Sequence, residues 1–328
     1  MPTIKDVAKK ANVSISTVSY AINGTRSISE ETKKRVLEAA KELGYQPNGI
    51  ARSLKMKNNR MIAVVVNEFH GPIYQEILRG ITRVAKDYQY EVIAAECFSN
   101  KSQLTRVLSQ KFVDGAIILA SYIKDEVIEN LASEKFPIVV LDRQIKGEYI
   151  TSILIDNEDA AYEVARHFKE KGFEEVGFLG GPKDSYDNNK RLEGFRKGIE
   201  AFNLVSSSKW TLTSDFTQEG GYKTIKKCIE EEGIDCLPRA IFSANDEMAI
   251  GAMKALKEYN ILIPEQVALV GFDNIELCQY VMPPLTTVHR PCYELGVAAA
   301  KSLIEHLNGE NVIKAMTLSS EFIIRSSC

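Results

Sequence analysis

From Met61 onward, apolar runs of about five residues alternate with amphipathic helical stretches, and this restricts the chain to a parallel-sheet α/β architecture. Nearly continuous apolar runs suit strands buried on both faces. Candidate strands are 62–66, 91–96, 115–119, 137–141 and 152–155, then 175–180, 209–212, 240–244 and 267–272. Candidate helices between them lie near 73–88 and 101–110, then 159–171, 190–202, 219–232 and 246–258. In the first of these, Ile77, Ile81, Val84 and Ala85 should face inward. Two sets of about five strands predict two similar lobes.

The residues before Met61 follow a different pattern, that of a small all-α head. Thr3 caps a helix over 3–11, with Asp6 as its capping-box partner and Ile4, Val7, Ala8 and Ala11 on one face. Asn12 suits a tight turn, and Ser14 caps a second helix with Val18, Ala21 and Ile22 inward. Asn23-Gly24 ends it. Ser29 caps a third helix, whose stripe is Val36, Leu37, Ala40 and Leu43 and whose stop is Gly44. This is the helix-turn-helix arrangement, in which the second helix enters the major groove. Its exposed N-terminal face carries Ile15, Ser16, Thr17, Ser19 and Tyr20. Hydroxyls there bond phosphates or base edges, and Ile15 suits a thymine methyl. Ser14 combines capping with phosphate contact.

Residues 45–58 read as a short fourth helix with Ile50, Ala51 and Leu54 on one side and Arg52, Lys55 and Lys57 making it basic. It is too short to be stable alone. It reads as a linker that folds on DNA, where paired copies would wedge Leu54 into the minor groove. Charge supports the division. Residues 1–60 hold 12 Lys and Arg against 5 Asp and Glu, a balance of +7. The remainder holds 29 against 39, a balance of -10, and the net charge of -3 conceals the split. A basic head on an acidic body points to nucleic acid.

Other classes fit poorly. There is no GxGxxG after a strand and no GxxxxGK[ST]. His70, His167, His289 and His306 are scattered, and Cys97, Cys228, Cys236, Cys278, Cys292 and Cys328 lack zinc-site spacing. No enzyme, metal or cofactor is expected. No apolar run reaches the length of a membrane span, and the N-terminus lacks a signal peptide's apolar stretch, so a cytoplasmic protein without membrane contact is expected.

The stretch TIKDVAKKANVSISTVSYAING, followed by GYQPNGIARSL, resembles the lactose/galactose repressor (LacI/GalR) family, and among its members those responding to purines or ribose. The resemblance extends over essentially the whole chain. It makes Ile15 and Ser16 the specificity-determining pair and Leu54 the intercalating leucine. Tyr20 stands where the family usually has arginine, so a bidentate guanine contact is lost there. The DNA-facing set is then Thr3, Ser14, Ile15, Ser16, Thr17, Ser19, Tyr20, Asn23, Tyr45, Asn48, Ala51 and Leu54.

For the body, the resemblance implies a two-lobed fold like periplasmic sugar-binding proteins, with chain crossings near 156–158, 288–291 and 317–320. The implied domains are a helix-turn-helix domain at 1–46, a hinge helix at 47–59 and an effector-binding, dimerising body at 60–328. Lobe 1 covers about 60–157 and 291–317, and lobe 2 about 158–290 and 318–328. Arg191, Phe216, Asn245 and Asp273 match effector-contacting positions, and Phe69 and Tyr74 match them more loosely. An arginine fork and carboxylates bonding paired hydroxyls, with an aromatic face on the ring, suit a sugar. Asp246 is read as a helix cap, Asp142-Arg143 as an interlobe ion pair or a ligand contact, and Arg191 as a ligand contact or an interlobe bridge. The expected function is an effector-controlled repressor, binding a pseudopalindromic operator as a homodimer. A carbohydrate or sugar phosphate is the first choice of effector and a purine corepressor the second. A carbon-catabolite regulator docking a phosphorylated carrier is disfavoured, because AAAKSLIEHL offers only Lys301 as a cation. A sugar receptor or enzyme of similar fold is disfavoured by the head.

Overall fold

The computed structural model describes residues 2–23, 26–45, 59–69, 71–97, 108–110, 112–233, 237–311 and 313–328. It divides into two compact units, Met1–Asn59 and Arg60–Cys328. The expected hinge helix, with Asn48, Ala51 and Leu54, lies outside the described residues, as do His70, Cys236 and most of the helix expected at 101–110.

The first unit is built from α1 (Ile4–Ala11), α2 (Ile15–Asn23) and α3 (Glu30–Leu43). Asp6 accepts from both the backbone N–H (2.7 Å) and the hydroxyl (2.8 Å) of Thr3. Asn12 closes α1 in the left-handed region at φ 51°, a conformation that asparagine tolerates better than most residues. Ser14 Oγ accepts the Thr17 N–H at 3.1 Å, capping α2, and Ser29 Oγ accepts that of Thr32, capping α3. Val7, Ala8, Ala11, Val18, Ala21, Val36, Ala39 and Ala40 form the core. Leu37, expected inward, is 47% exposed. Once Val36 sets the stripe, the 3.6-residue period selects Ala39, Ala40 and Leu43 and turns Leu37 outward.

The second unit contains two six-stranded sheets. The first has the order β11-β5-β4-β3-β1-β2, from β1 (Met61–Val66), β2 (Glu91–Glu96), β3 (Gly115–Ile118), β4 (Ile138–Leu141), β5 (Ile150–Ile155) and β11 (Ala315–Leu318). The second has the order β12-β10-β9-β8-β6-β7, from β6 (Val176–Gly180), β7 (Thr211–Thr213), β8 (Ala240–Ser243), β9 (Ala268–Asp273), β10 (Thr286–His289) and β12 (Glu321–Ile323). Pairing is parallel except between β10 and β12. Helices α4 (Pro72–Asp87) and α5 (Asp125–Leu131) connect the first sheet. Helices α6 (Asn157–Glu170), α7 (Tyr186–Ala201), α8 (Gln218–Glu232) and α9 (Asp246–Glu258) belong to the second. The chain passes between sheets after β5, after β10 and between β11 and β12, so α10 (Cys292–Leu307) returns to the first lobe. There Leu295, Ala299 and Leu303 bury against the same core as Ile62, Val64, Ile77 and Ile81.

Three differences from the sequence reading have local causes. Residues 209–212 are not one strand. A 3-10 turn, Ser208–Trp210, buries Trp210 before β7 begins at Thr211. Helix α7 begins at Tyr186 rather than near 190, because Ser185 caps it by accepting the Asn188 N–H. Strands β10 and β11 were absent from the candidates, being only four residues long.

Candidate functional site

In parallel α/β sheets, loops at the carboxyl ends of strands form the binding crevice. Both lobes bring charged side chains there. Asp142 follows β4 in the first lobe at φ 60°. Asp273 ends β9 at φ 113°, and Arg290 follows β10 at the second crossing.

Arg191 is the centre of the second lobe's contribution. Phe178, Phe195, Phe242 and Phe272 pack with neighbouring ring centroids 5.3–6.5 Å apart. The Arg191 guanidinium sits 3.7 Å from the Phe272 ring centroid, so the aromatic core itself positions the cation. Its Nε donates to Asn157 Oδ1 at 2.8 Å, and its Nη1 donates to the Ala244 carbonyl. Nη2 lies 3.9 Å from both Asp187 and Asp273. Asn157 donates in turn to Asp187 at 2.9 Å, fixing the fork from behind. All these partners belong to the second lobe, so Arg191 does not bridge lobes.

The bridge is Arg290. It is 3% exposed, bonds Asp142 of the first lobe through Nη2, and places Nη1 3.8 Å from Asp187 of the second. Arg143 does not pair with Asp142. It bonds Asp125 at 2.9 Å and the Ala120 carbonyl at 3.2 Å. Burial, and next the Asp142 charge, push Asp187 up to about 7, against the pull of Arg290 and Arg191. Burial likewise raises Asp273 and lowers Arg191. Burial opposes charge on Arg290 too, but its carboxylate neighbours, Asp142 foremost, outweigh it and hold the guanidinium charged.

The other expected effector residues are placed as follows. Phe216 is half-buried at φ 68°, and its ring lies over Gly181: a Cβ there would meet ring carbons at 2.4 Å, so only glycine lets the ring settle. Asn245 caps α9, accepting the Met248 N–H at 3.0 Å, and its amide donates to the Phe216 carbonyl at 2.9 Å. It thus anchors the aromatic loop. Asp246 is not the cap. It is fully buried, accepting from Ile275 N–H at 2.9 Å and the Thr287 hydroxyl at 2.6 Å, and burial raises it to about 7. Gly271 makes room, since a Cβ there would stand 2.0 Å from the Asp246 carboxylate. Tyr74 is half-buried, and burial, helped by Glu68, raises its phenol to about 12. Arg290 and Asp142 also act on it, which associates it with the same cluster. Phe69 is 48% exposed. Sequence reasoning missed Asn157, Asp187 and Arg290. The available signal was an arginine held between a strand end and Pro291 at an expected crossing.

In the head, Ile15 is 46% exposed, Ser14, Ser16 and Thr3 are exposed, and Thr17, Ser19 and Tyr20 are half-buried. Arg26 lies over the Tyr20 ring at 5.4 Å. Tyr45 packs against the three-helix core. Among the described residues no helix is long and apolar enough to cross a membrane.

A short helix-turn-helix unit together with a two-sheet body whose lobes share a charged cluster defines an effector-responsive DNA-binding regulator. The model for bacterial regulatory proteins of the lacI family matches residues 3–48, and that for a periplasmic binding protein-like domain matches 165–328. An HTH-type transcriptional repressor PurR of Aliivibrio salmonicida is 32% identical over 315 residues, covering 95% of this chain and 94% of the relative. The transcriptional regulator CelR–cellobiose complex superposes with a TM-score of 0.75 at 26% identity, covering 100% of both chains. The lac repressor dimer bound to operator and the anti-inducer ONPF superposes with a TM-score of 0.76 at 26% identity, covering 99% of this chain and 98% of that one. The chain belongs to the lacI family: it is a DNA-binding transcriptional repressor with a periplasmic-binding-protein-like effector domain.

Proposed function

We propose that the effector is a small carbohydrate or sugar phosphate bound between the lobes, and that it controls operator affinity. The observation that carries this is the pairing of fork-shaped polar groups, Arg191, Arg290 and Asp273 buried and Asp142 half-buried, with one aromatic side chain, Phe216. Carboxylates and guanidiniums bond adjacent hydroxyls, while a ring face covers the apolar side of a pyranose or furanose. Arg191, Phe216 and Asp273 contact the ligand, with Tyr74 and Phe69 from the first lobe. Asn245 acts by holding Phe216.

Two chains bind a pseudopalindromic operator as a homodimer in the cytoplasm, with no catalytic role. Division of labour follows the chain: residues 1–46 read DNA through Thr3, Ser14, Ile15, Ser16, Thr17, Ser19, Tyr20, Asn23 and Tyr45, residues 47–59 add Asn48, Ala51 and Leu54 to the DNA-facing set, and residues 60–328 sense the effector. Ligand favours one lobe arrangement and thereby shifts the population competent for DNA.

A purine corepressor is the second reading, favoured by the 32% identical purine-repressor relative. Differential scanning fluorimetry with sugars, sugar phosphates and nucleobases decides between them. Stabilisation by a sugar or its phosphate is expected, and stabilisation by guanine or hypoxanthine alone overturns the choice.

A further inference from the structure

Among the described residues the cleft contains three polar atoms that are buried and without a hydrogen-bond partner: Asp142 Oδ1, Asp273 Oδ1 and Arg290 Nε. Such orphans are rare in protein interiors and are expected where a ligand completes them. They are two acceptors and one donor. Around them, the guanidiniums of Arg191 and Arg290 face three carboxylates, Asp142, Asp187 and Asp273. Each guanidinium thus already lies within 4 Å of two carboxylates, and Arg290 Nε is the donor left without a partner.

This arrangement discriminates between a neutral sugar and its phosphate ester, and the inference rests on the sugar reading. A hydroxyl donates one hydrogen and accepts through its lone pairs, so neighbouring hydroxyls can satisfy Asp142 Oδ1, Asp273 Oδ1 and Arg290 Nε together. A phosphate near neutral pH has a charge of about −1.5 to −2 and its oxygens mostly accept. It would set oxygen against the two unpartnered carboxylate oxygens, with Arg290 Nε as the one unpartnered donor to receive it. We infer that Arg290, clamped between Asp142 of one lobe and Asp187 of the other, is a specificity-determining residue that makes this cleft take an uncharged polyhydroxylated ligand and reject its phosphate ester.

Isothermal titration of the full chain with matched pairs tests this: ribose and ribose 5-phosphate, glucose and glucose 6-phosphate, cellobiose and its 6-phosphate. One neutral sugar should bind at least about a hundredfold more tightly than its ester. Asp142→Asn, a near-isosteric change that releases Arg290, should narrow that ratio at least tenfold, which a merely structural role would not do. Arg290→Gln should weaken the neutral sugar at least tenfold. An ester that binds as tightly as its neutral partner, or a ratio unchanged in Asp142→Asn, overturns the inference and leaves the sugar reading standing. Binding of hypoxanthine or guanine with no sugar of either kind overturns the sugar reading and this inference with it.

Discussion

Replacing Arg191 by methionine removes a buried cation while nearly preserving volume. Asp187 and Asp273 then lose the charge 3.9 Å away from each, Asn157 Oδ1 loses its donor, and the Phe272 face loses its cation. Breaking a buried ion pair from one side costs about 3–5 kcal/mol, because the remaining charge is stranded out of water. Unfolding entropy of about 2.1 cal/mol/K per residue over a body of roughly 270 residues converts this to a fall of about 5–9 °C in Tm. Burial already disfavours charge on both Arg191 and Asp273, so removing the second partner should relieve much of the loss. The double variant Arg191→Met/Asp273→Asn should therefore melt several degrees above Arg191→Met alone. Thermal unfolding followed by far-UV circular dichroism gives all four corners of the cycle. A loss below 1 °C for the single variant, or strictly additive losses, would refute this account of the buried cluster.

Three further outcomes are expected. Asp187 and Asp246, raised from 3.8 to about 7, hold protons in the folded body that the unfolded chain releases. Their stabilisation is complete below pH 3.8 and disappears as pH rises through about 7. Those two groups should cost the body about 1–3 kcal/mol between pH 6 and 8, and a Tm that these groups' isosteric amides leave equally pH-dependent would contradict it. Exchanging Ile15 and Ser16 should alter the sequence selected from a random operator library while shifting Tm by about 1 °C or less, since Ile15 is 46% exposed. Operator affinity should fall about a thousandfold between 50 and 200 mM salt if six or more phosphates per site are contacted, and a flat dependence would deny the basic head its electrostatic role.

Much of this was legible in the sequence, for physical reasons. The capping hydroxyls of Thr3, Ser14 and Ser29 and the apolar faces of α1 and α2 are local signals, and the structure shows them where spacing put them. The long apolar strands were visible because burial on both faces leaves no polar interruption. What was illegible depends on distant pairing. Asn245 and Asp246 stand side by side after β8, and either suits a cap. Only the fold shows that Asn245 caps α9 while Asp246 turns into the core toward Thr287. Asp142 and Arg290 are separated by nearly half the chain, so no local pattern could have joined them in preference to Asp142 and Arg143.

A ligand in the interlobe cleft should control the DNA contact made by the helix-turn-helix. Fluorescence anisotropy measures it directly: the full chain is titrated onto an operator selected from random DNA, with and without a saturating neutral sugar found by calorimetry. Operator Kd should change at least tenfold for the wild type and not at all for Asp273→Asn, whose unliganded affinity should match the wild type. An operator Kd indifferent to the sugar, or an equal response in Asp273→Asn at the same sugar concentration, would contradict it.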